Sequence, residues 1–272
     1  MIDAKLQQSL RERFNPEGSM LRRQQLRMLE ILLYVDRVCK EHNIRYWLSS
    51  GTLLGAVRHG GFIPWDDDLD IEMLREDYDK FLKVFPDSED FALQTLYTDP
   101  NYFKGFAKVR DLHSQISEFE LDRNYKYRGL FIDVFSIERL PRWVCRLYGG
   151  AFEVVARMLR DRERTKLSMA LVKCLQKLIL WSIPIARPIF RLFTKELHHS
   201  YGSGFLKERH SEDILPLCSV EFEGMAFPAP HNYDNYLRVI YGDYEKLPDL
   251  NSIEVHASKC VISNDCSPKE TE

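Results

Sequence analysis

Gly51-Thr52-Leu53-Leu54-Gly55-Ala56-Val57-Arg58, followed shortly by Phe62-Ile63-Pro64-Trp65-Asp66-Asp67-Asp68-Leu69-Asp70-Ile71, is the stretch on which the reading of this chain turns. Side chains alternate across a strand, so a strand through the acidic run presents Asp68 and Asp70 on one face and turns Leu69 and Ile71 into the core. Two carboxylates then share one small space and raise each other's proton affinity unless a divalent cation neutralises them. Mg²⁺, with Mn²⁺ as a substitute, prefers one or two carboxylates plus substrate phosphate oxygens. A paired-aspartate strand therefore reads as a site for a nucleotide diphosphate.

Other readings of the run fit less well. A solvated turn would not be embedded between Trp65 and the apolar Leu69 and Ile71. Counted as an EF-hand from Asp66, the sixth position is Ile71 rather than Gly and the twelfth is Asp77 rather than Glu, so turn and bidentate ligand are both missing. The Walker Lys-Ser/Thr pattern and the six-residue glycine fingerprint are absent as well. Gly51-Thr52, at a strand-to-helix junction, offers backbone donors, a hydroxyl and a favourable helix-start dipole with which to cradle phosphate.

Working outward, apolar residues from about 20 to 42 recur at helical spacing and predict an amphipathic helix. Ile44 to Ser49 reads as a strand, the Gly51 segment as a short helix, Asp66 to Ile71 as a second strand, and 75–85 as a helix. Phe91–Tyr97, Phe103–Arg110 and Leu130–Ile137 are further strands, giving an α+β chain with a mixed sheet covered by helices. Val220–Phe227 is sheet-like, and a helix near Asn232–Tyr241 stops at Gly242. Between them, Arg142 to Ser200 carries roughly twelve Lys and Arg against roughly four acids on a mainly helical, apolar stretch broken by Pro184 and Pro188. Its most apolar piece, Leu178 to Phe193, is too short and too charged to span a bilayer but is suited to lie on an anionic one. The chain divides accordingly into a catalytic core over 1–141, a basic helical insertion over 142–205, a return to the core over 206–256 and a flexible tail over 257–272.

Charge and cysteine usage bound the rest. A net charge of -3 over 272 residues gives no broad electrostatic reason to expect nucleic acid as a partner. The six cysteines contain no Cys-x-x-Cys pair, so a zinc ribbon or dithiol centre lacks its spacing, and scattered thiols fit a cytoplasmic location. The amino terminus shows no continuous apolar segment of the kind export requires.

The continuous stretch from Tyr46 to Ile71 resembles the signature of the LicD family of phosphocholine transferases, as do Arg128-Gly129-Leu130-Phe131-Ile132-Asp133-Val134-Phe135 and the closing run from Phe227-Pro228-Ala229-Pro230 through Tyr241-Gly242-Asp243-Tyr244 to Leu247-Pro248. The likeness spans most of residues 20–256. It implies a nucleotidyltransferase-type fold that moves a phospho-alcohol group from a CDP-linked donor such as CDP-choline to a hydroxyl of a glycan or lipid-linked glycan, releasing CMP. It also implies bacterial surface-glycan modification, with the enzyme on the inner face of the plasma membrane. Carried over by position, Asp68 and Asp70 match the metal-binding acidic pair, Gly51-Thr52 the glycine-hydroxyl turn, and Asp133 a third acidic position, as ligand or as base.

Several further residues lie close to these motifs in sequence. Arg58, Lys108, Arg110 and Arg128 are candidates for holding the diphosphate, and His59 for touching substrate. Trp65, with Tyr46, Trp47, Tyr102, Tyr125 and Tyr127, supplies rings for a choline cage. His198 and His199, in the basic insertion, read as surface residues. Two alternatives stay open: a nucleotidyltransferase that attaches the nucleotide itself, and a catalytically silent glycan-binding or membrane-assembly protein.

Overall fold

A computed structural model describes residues 2–86, 88–117, 125–160, 166–200, 206–253 and 259–262. Helix α1 (Ala4–Phe14) is capped by Asp3, and the long α2 (Met20–Glu41) by the Ser19 hydroxyl, which accepts from the Arg22 amide at 3.2 Å. Strand β1 (Trp47–Leu48) leads straight into α3 (Ser50–His59), and β2 (Asp70–Leu74) into α4 (Arg75–Val84). Then come β3 (Phe91–Gln94), β4 (Ala107–Asp111), β5 (Ser114–Ser117) and β6 (Phe131–Arg139). The insertion supplies α5 (Arg142–Arg160) and α6 (Lys166–Phe190). Finally there are β7 (Leu197–His199), α7 (Ser211–Ile214), β8 (Cys218–Phe222), β9 (Met225–Ala229), α8 (Tyr233–Tyr241) and β10 (Lys259–Ile262).

The central sheet is mixed, in the order β1-β2-β6-β4-β3, with β7 added alongside β6. Only β2 and β6 run parallel within it. Alternation divides the sheet cleanly. Ile71, Met73, Val109, Ile132 and Val134 are completely buried and share one core with Met28, Leu32 and Val35 of α2. The other face carries Asp70, Glu72, Asp133, Lys108 and Arg110.

A chain reversal delivers the acidic run to the start of α3. Gly60, at φ 67°, closes the C-terminus of α3 in the left-handed region that glycine occupies without strain, and its amide bonds the Ala56 carbonyl. The chain then runs back along the helix. A Cβ on Gly55 would meet the Gly61 carbonyl at 2.4 Å, so only glycine admits this approach. The turn of the β8–β9 hairpin braces the loop: Glu223 accepts from the Phe62 amide at 3.0 Å and pairs with Arg22 at 2.7 Å.

Several expected elements differ in extent. The 44–49 strand is reduced to Trp47–Leu48, and β2 begins only at Asp70, because Asp66 is held in a turn by its amide on the Ile63 carbonyl. Strands β3 and β4 are shorter than the apolar runs that predicted them, and 220–227 is a hairpin turning at Glu223-Gly224, both at positive φ. Strand β7, inside the stretch read as insertion, belongs to the core sheet. Strand β10 pairs with β5 within the stretch read as tail, while Ser267 to Glu272 lie outside the described residues. Burial also overturns the surface reading of His198 and His199: both are enclosed, because β7 is sandwiched between β6 and the bridge to Arg209.

Candidate active site

Asp70 and Asp133 are direct register partners on the parallel strands β2 and β6, and Lys108 on β4 is the partner of Asp133 on its other side. The three form a row across adjacent strands, and the Lys108 ammonium lies 2.7 Å from Asp133 Oδ1. Asp70 is fixed through its backbone: its amide donates to Thr52 Oγ1 at 2.8 Å, and its carbonyl accepts from the Ser49 amide at 3.1 Å. Leu69 is buried, as the alternating pattern predicts, and its carbonyl accepts from the Asp133 amide at 2.9 Å. Asp68 lies just ahead of the strand and, although its residue surface is the most exposed of the set, its carboxyl is crowded by the surrounding protein.

The local electrostatics show an excess of negative charge. Burial, then Asp133, Asp68 and Asp66, push the Asp70 carboxyl well above the usual carboxylate range. Burial with Asp133 and Asp67 lifts Asp68 to about 6, with Lys108 and Lys104 opposing, and burial with Asp68 and Asp67 lifts Asp66 to about 7. Among the described residues, two groups have ligand atoms all within 4.8 Å of one another: Asp66-Asp67-Asp68, and Glu196-His198-Glu208 on the β7 ribbon. The sequence-predicted triad of Asp68, Asp70 and Asp133 is more open than the run itself, although its members face one another electrostatically. Hard oxygen donors whose repulsion Lys108 and Lys104 relieve only in part suit Mg²⁺ or Mn²⁺, so the residues present fit such an ion.

This sets a pH dependence for the metal-free protein. Asp66 and Asp68 bind protons more tightly folded than unfolded, so their effect on stability is most favourable near pH 4 and is lost as pH rises through about 6 to 7. Thermal melts from pH 4.5 to 7.5 in chelator should fall less steeply for Asp66→Asn than for the parent chain, and Mg²⁺ should restore the loss at pH 7.5. Equal slopes for the two proteins would refute it.

Gly51 is the second residue of α3, directly after Ser50, which is held at φ 48°. The Ser49 side chain at the N-cap does not cap this helix start, which leaves its first amides open to another acceptor. A Cβ on Gly51 would sit 2.7 Å from Asp66 Oδ2. Gly51→Ala is therefore expected to displace that carboxylate, lowering turnover about tenfold while changing stability by under about 1 kcal/mol. Steady-state rates and urea melts together test this; unchanged turnover would show that Asp66 can move freely.

The remaining predicted contacts are occupied elsewhere. Arg58 and His59 lie at the opposite end of α3 from Gly51. Arg58 donates to His59 Nε2 and to the Tyr244 carbonyl, each at 2.9 Å, and His59 Nδ1 lies 2.7 Å from Gln7 Oε1. Burial, helped by Arg58 and Arg11, lowers His59 to about 3, so the ring is neutral. Trp65 packs edge-on against Phe14 and His59. Arg110 is buried and spans Gln94 Oε1 and the Gly129 carbonyl, each at 2.8 Å. Arg128 lies against Gln115. Among the proposed cage rings, Tyr46 bonds Asp36, Trp47 bonds Glu72, and Tyr102 and Tyr125 pack on each other, which makes these four core residues.

Other residues at the site were not singled out by the sequence reading. Lys104 bears on Asp68, and Tyr241, at the end of α8, is pushed up by burial and by Asp70 and Asp66. Behind Asp70, on the same strand face, the fully buried Glu72 gathers Tyr236 OH at 2.7 Å, His199 Nε2 at 2.6 Å, Arg209 at 2.9 Å and Trp47 Nε1 at 3.2 Å. Burial alone would raise Glu72, but Arg209 and the donors around it hold the carboxyl well below its usual range. Burial lowers His199 while Glu72 beside it raises it, and Arg209 is the permanent countercharge. The two-residue step from Asp70 to Glu72 was a usable signal; the partners from distant segments left none.

Comparison with known proteins bears on the family of the chain. A family profile described as "LicD/FKTN/FKRP, nucleotidyltransferase domain" matches residues 43–143, a span that holds Gly51-Thr52, the acidic run, Lys108 and Asp133. The lipopolysaccharide cholinephosphotransferase LicD of Haemophilus influenzae is 32% identical over 257 residues, covering 87% of this chain and 95% of that protein. The chain belongs to the LicD family of phospho-alcohol transferases. More distant LicD-family likenesses are local. Human ribitol 5-phosphate transferase FKRP is 50% identical over 48 residues, which is 18% of this chain and 10% of that protein. Mouse ribitol-5-phosphate transferase FKTN is 38% identical over 52 residues, or 19% and 11% respectively.

Proposed function

We propose that this LicD-family member transfers a phospho-alcohol group, phosphocholine above all, from a CDP-linked donor to a glycan hydroxyl in lipopolysaccharide or capsule modification, releasing CMP, on a nucleotidyltransferase-type fold. The observation that carries the reading is the row of Asp70, Asp133 and Lys108 across three neighbouring strands, with Asp68 facing it from the preceding loop. The cargo and the glycan class are those of the lipopolysaccharide cholinephosphotransferase of Haemophilus influenzae, which aligns over almost its full length.

Asp68, Asp70 and Asp133 would hold Mg²⁺ or Mn²⁺, which supplies charge neutralisation at the donor's phosphoryl oxygens. The protein's own residues do the rest. The uncapped amides at Gly51-Thr52 receive a phosphate oxygen at the positive end of α3, and the Thr52 hydroxyl sets the position of Asp70. Lys108 orients Asp133 and brings a positive charge to the diphosphate. Lys104 and Tyr241 bear electrostatically on the acids and are further side chains to contact donor or acceptor.

The test incubates the pure chain with a panel of CDP-alcohols, Mg²⁺ and candidate glycans, and follows CMP and the modified glycan. Metal-dependent CMP release with the phospho-alcohol on the glycan supports the proposal. Pyrophosphate release with the nucleotide attached to the acceptor would replace it with nucleotide transfer, and no release from any donor would leave a silent glycan-binding protein.

A further inference from the structure

Helices α5 and α6 carry an apolar surface that none of the described residues covers. Of the eighteen large hydrophobic residues that are exposed among the described residues, eleven fall between Trp143 and Phe193. The other seven are scattered singly over the core, where isolated exposure needs no explanation. On α5, Trp143, Leu147 and Val154 follow steps of four and seven, and all are more than half exposed. On α6, Leu171, Leu175, Leu178, Ile185 and Ile189 fall within an arc of roughly 80° at about 100° per residue. The inner sides of the same helices hold the pair together, with Phe152 packed on Ile183 and the Tyr148 hydroxyl 3.0 Å from Ser182 Oγ. Between them runs a groove of about 1420 Å³ lined mainly by apolar side chains, with Arg142 and Arg146 at one end.

Charge selects the occupant. Arg142, Arg146, Arg157, Lys177, Arg191 and Lys195 are exposed on or beside the same helices. A second copy of the chain would bring the same cations against these, whereas an anionic lipid surface complements them while it covers the apolar stripe. Trp143 and Trp181, at 61% and 73% exposure, are the ring type favoured where hydrocarbon meets headgroup. Neither helix, as described, is long and apolar enough to cross a membrane. The surface is therefore shaped to lie in the interface plane.

We propose that α5 and α6 seat the protein on an anionic membrane, so that the glycan acceptor is met while it is carried on lipid. The second clause rests on the transferase reading; the first does not. The full chain is mixed with phosphatidylcholine vesicles, with and without phosphatidylglycerol, and floated. Expected are co-flotation with the anionic vesicles, weakening as salt rises, and at least about a tenfold loss of binding for the double variant Leu178→Glu/Trp181→Glu. Arg142→Glu/Arg146→Glu should remove the preference for anionic lipid while leaving the fold, followed by circular dichroism, unchanged. No flotation with either vesicle would overturn the proposal. So would a dimer in solution that the double variant dissociates, since a second copy would then be the occupant. CMP release with a soluble glycan is measured on the same proteins and should not change in either variant. Flotation without CMP release from the parent chain would sink the transferase reading alone; CMP release without flotation would sink the membrane surface alone.

Discussion

Asp70→Asn is expected to lower the rate of CMP release by at least about a hundredfold, equivalent to about 3 kcal/mol of barrier, without lowering the melting temperature of the metal-free protein. The substitution keeps the size of the side chain and leaves untouched the backbone bonds that hold the position, from the Asp70 amide to Thr52 and from Ser49 to the Asp70 carbonyl. What it removes is one negative charge from a set in which burial, Asp133, Asp68 and Asp66 all disfavour ionisation. Loss of that repulsion should leave the empty fold equally stable or more so, while the metal loses a ligand. Activity and stability thus move independently, and a merely structural carboxylate would move them together. Magnesium titration of the variant should show weakened binding in parallel with the rate. Near-normal turnover by a folded Asp70→Asn would end the proposed role.

Breaking the buried pair of Glu72 and Arg209 should do the opposite, unfolding the chain before any change in chemistry is visible. Both side chains are almost wholly enclosed, and among the described residues Arg209 is the permanent positive charge paired with Glu72. Arg209→Leu would leave an ionised carboxylate stranded among Trp47, Tyr236 and His199, a situation that typically costs about 3 to 5 kcal/mol. Adding Glu72→Gln to that variant should recover part of the loss, since the second substitution removes the orphaned charge. Urea denaturation of the two single variants and the double closes the cycle. An Arg209→Leu penalty below about 1 kcal/mol would show that water reaches Glu72 or that the two charges are not coupled. Because Glu72 stands two residues from Asp70 on the same strand face, surviving variants should also show poorer metal binding.

How much of this was legible beforehand follows from the range of the forces involved. The α2 helix and the α+β class came from apolar periodicity, a local property that burial repeats at every turn. The inward turn of Leu69 and Ile71 around Asp70 was legible because alternation is local, whereas Asp68, read into the same strand, lies ahead of β2 because the turn at Asp66 delays the strand's start. The placement of Lys108 beside Asp133 required knowing which strands are neighbours, and β4 and β6 become neighbours only through the whole sheet order. Arg58 illustrates the converse. Seven positions along α3 from Gly51, it is near the motif in sequence yet about 10 Å away along the helix axis, and there it caps the loop at Tyr244.

From residue types and their spacing alone, the paired acids, the glycine-hydroxyl helix start, the amphipathic α2 and the basic, apolar character of 142–200 were determined, since each is written within a few turns of chain. Tertiary structure alone decided that Asp66 folds back against Gly51, that His199 and Arg209 reach Glu72 from far along the chain, and that the apolar stripe of the insertion is left uncovered by the described residues. The reason is physical: side-chain chemistry and backbone propensity act locally. Which charge loses its water, and which greasy face finds no partner, depends on the packing of segments that the linear order keeps far apart.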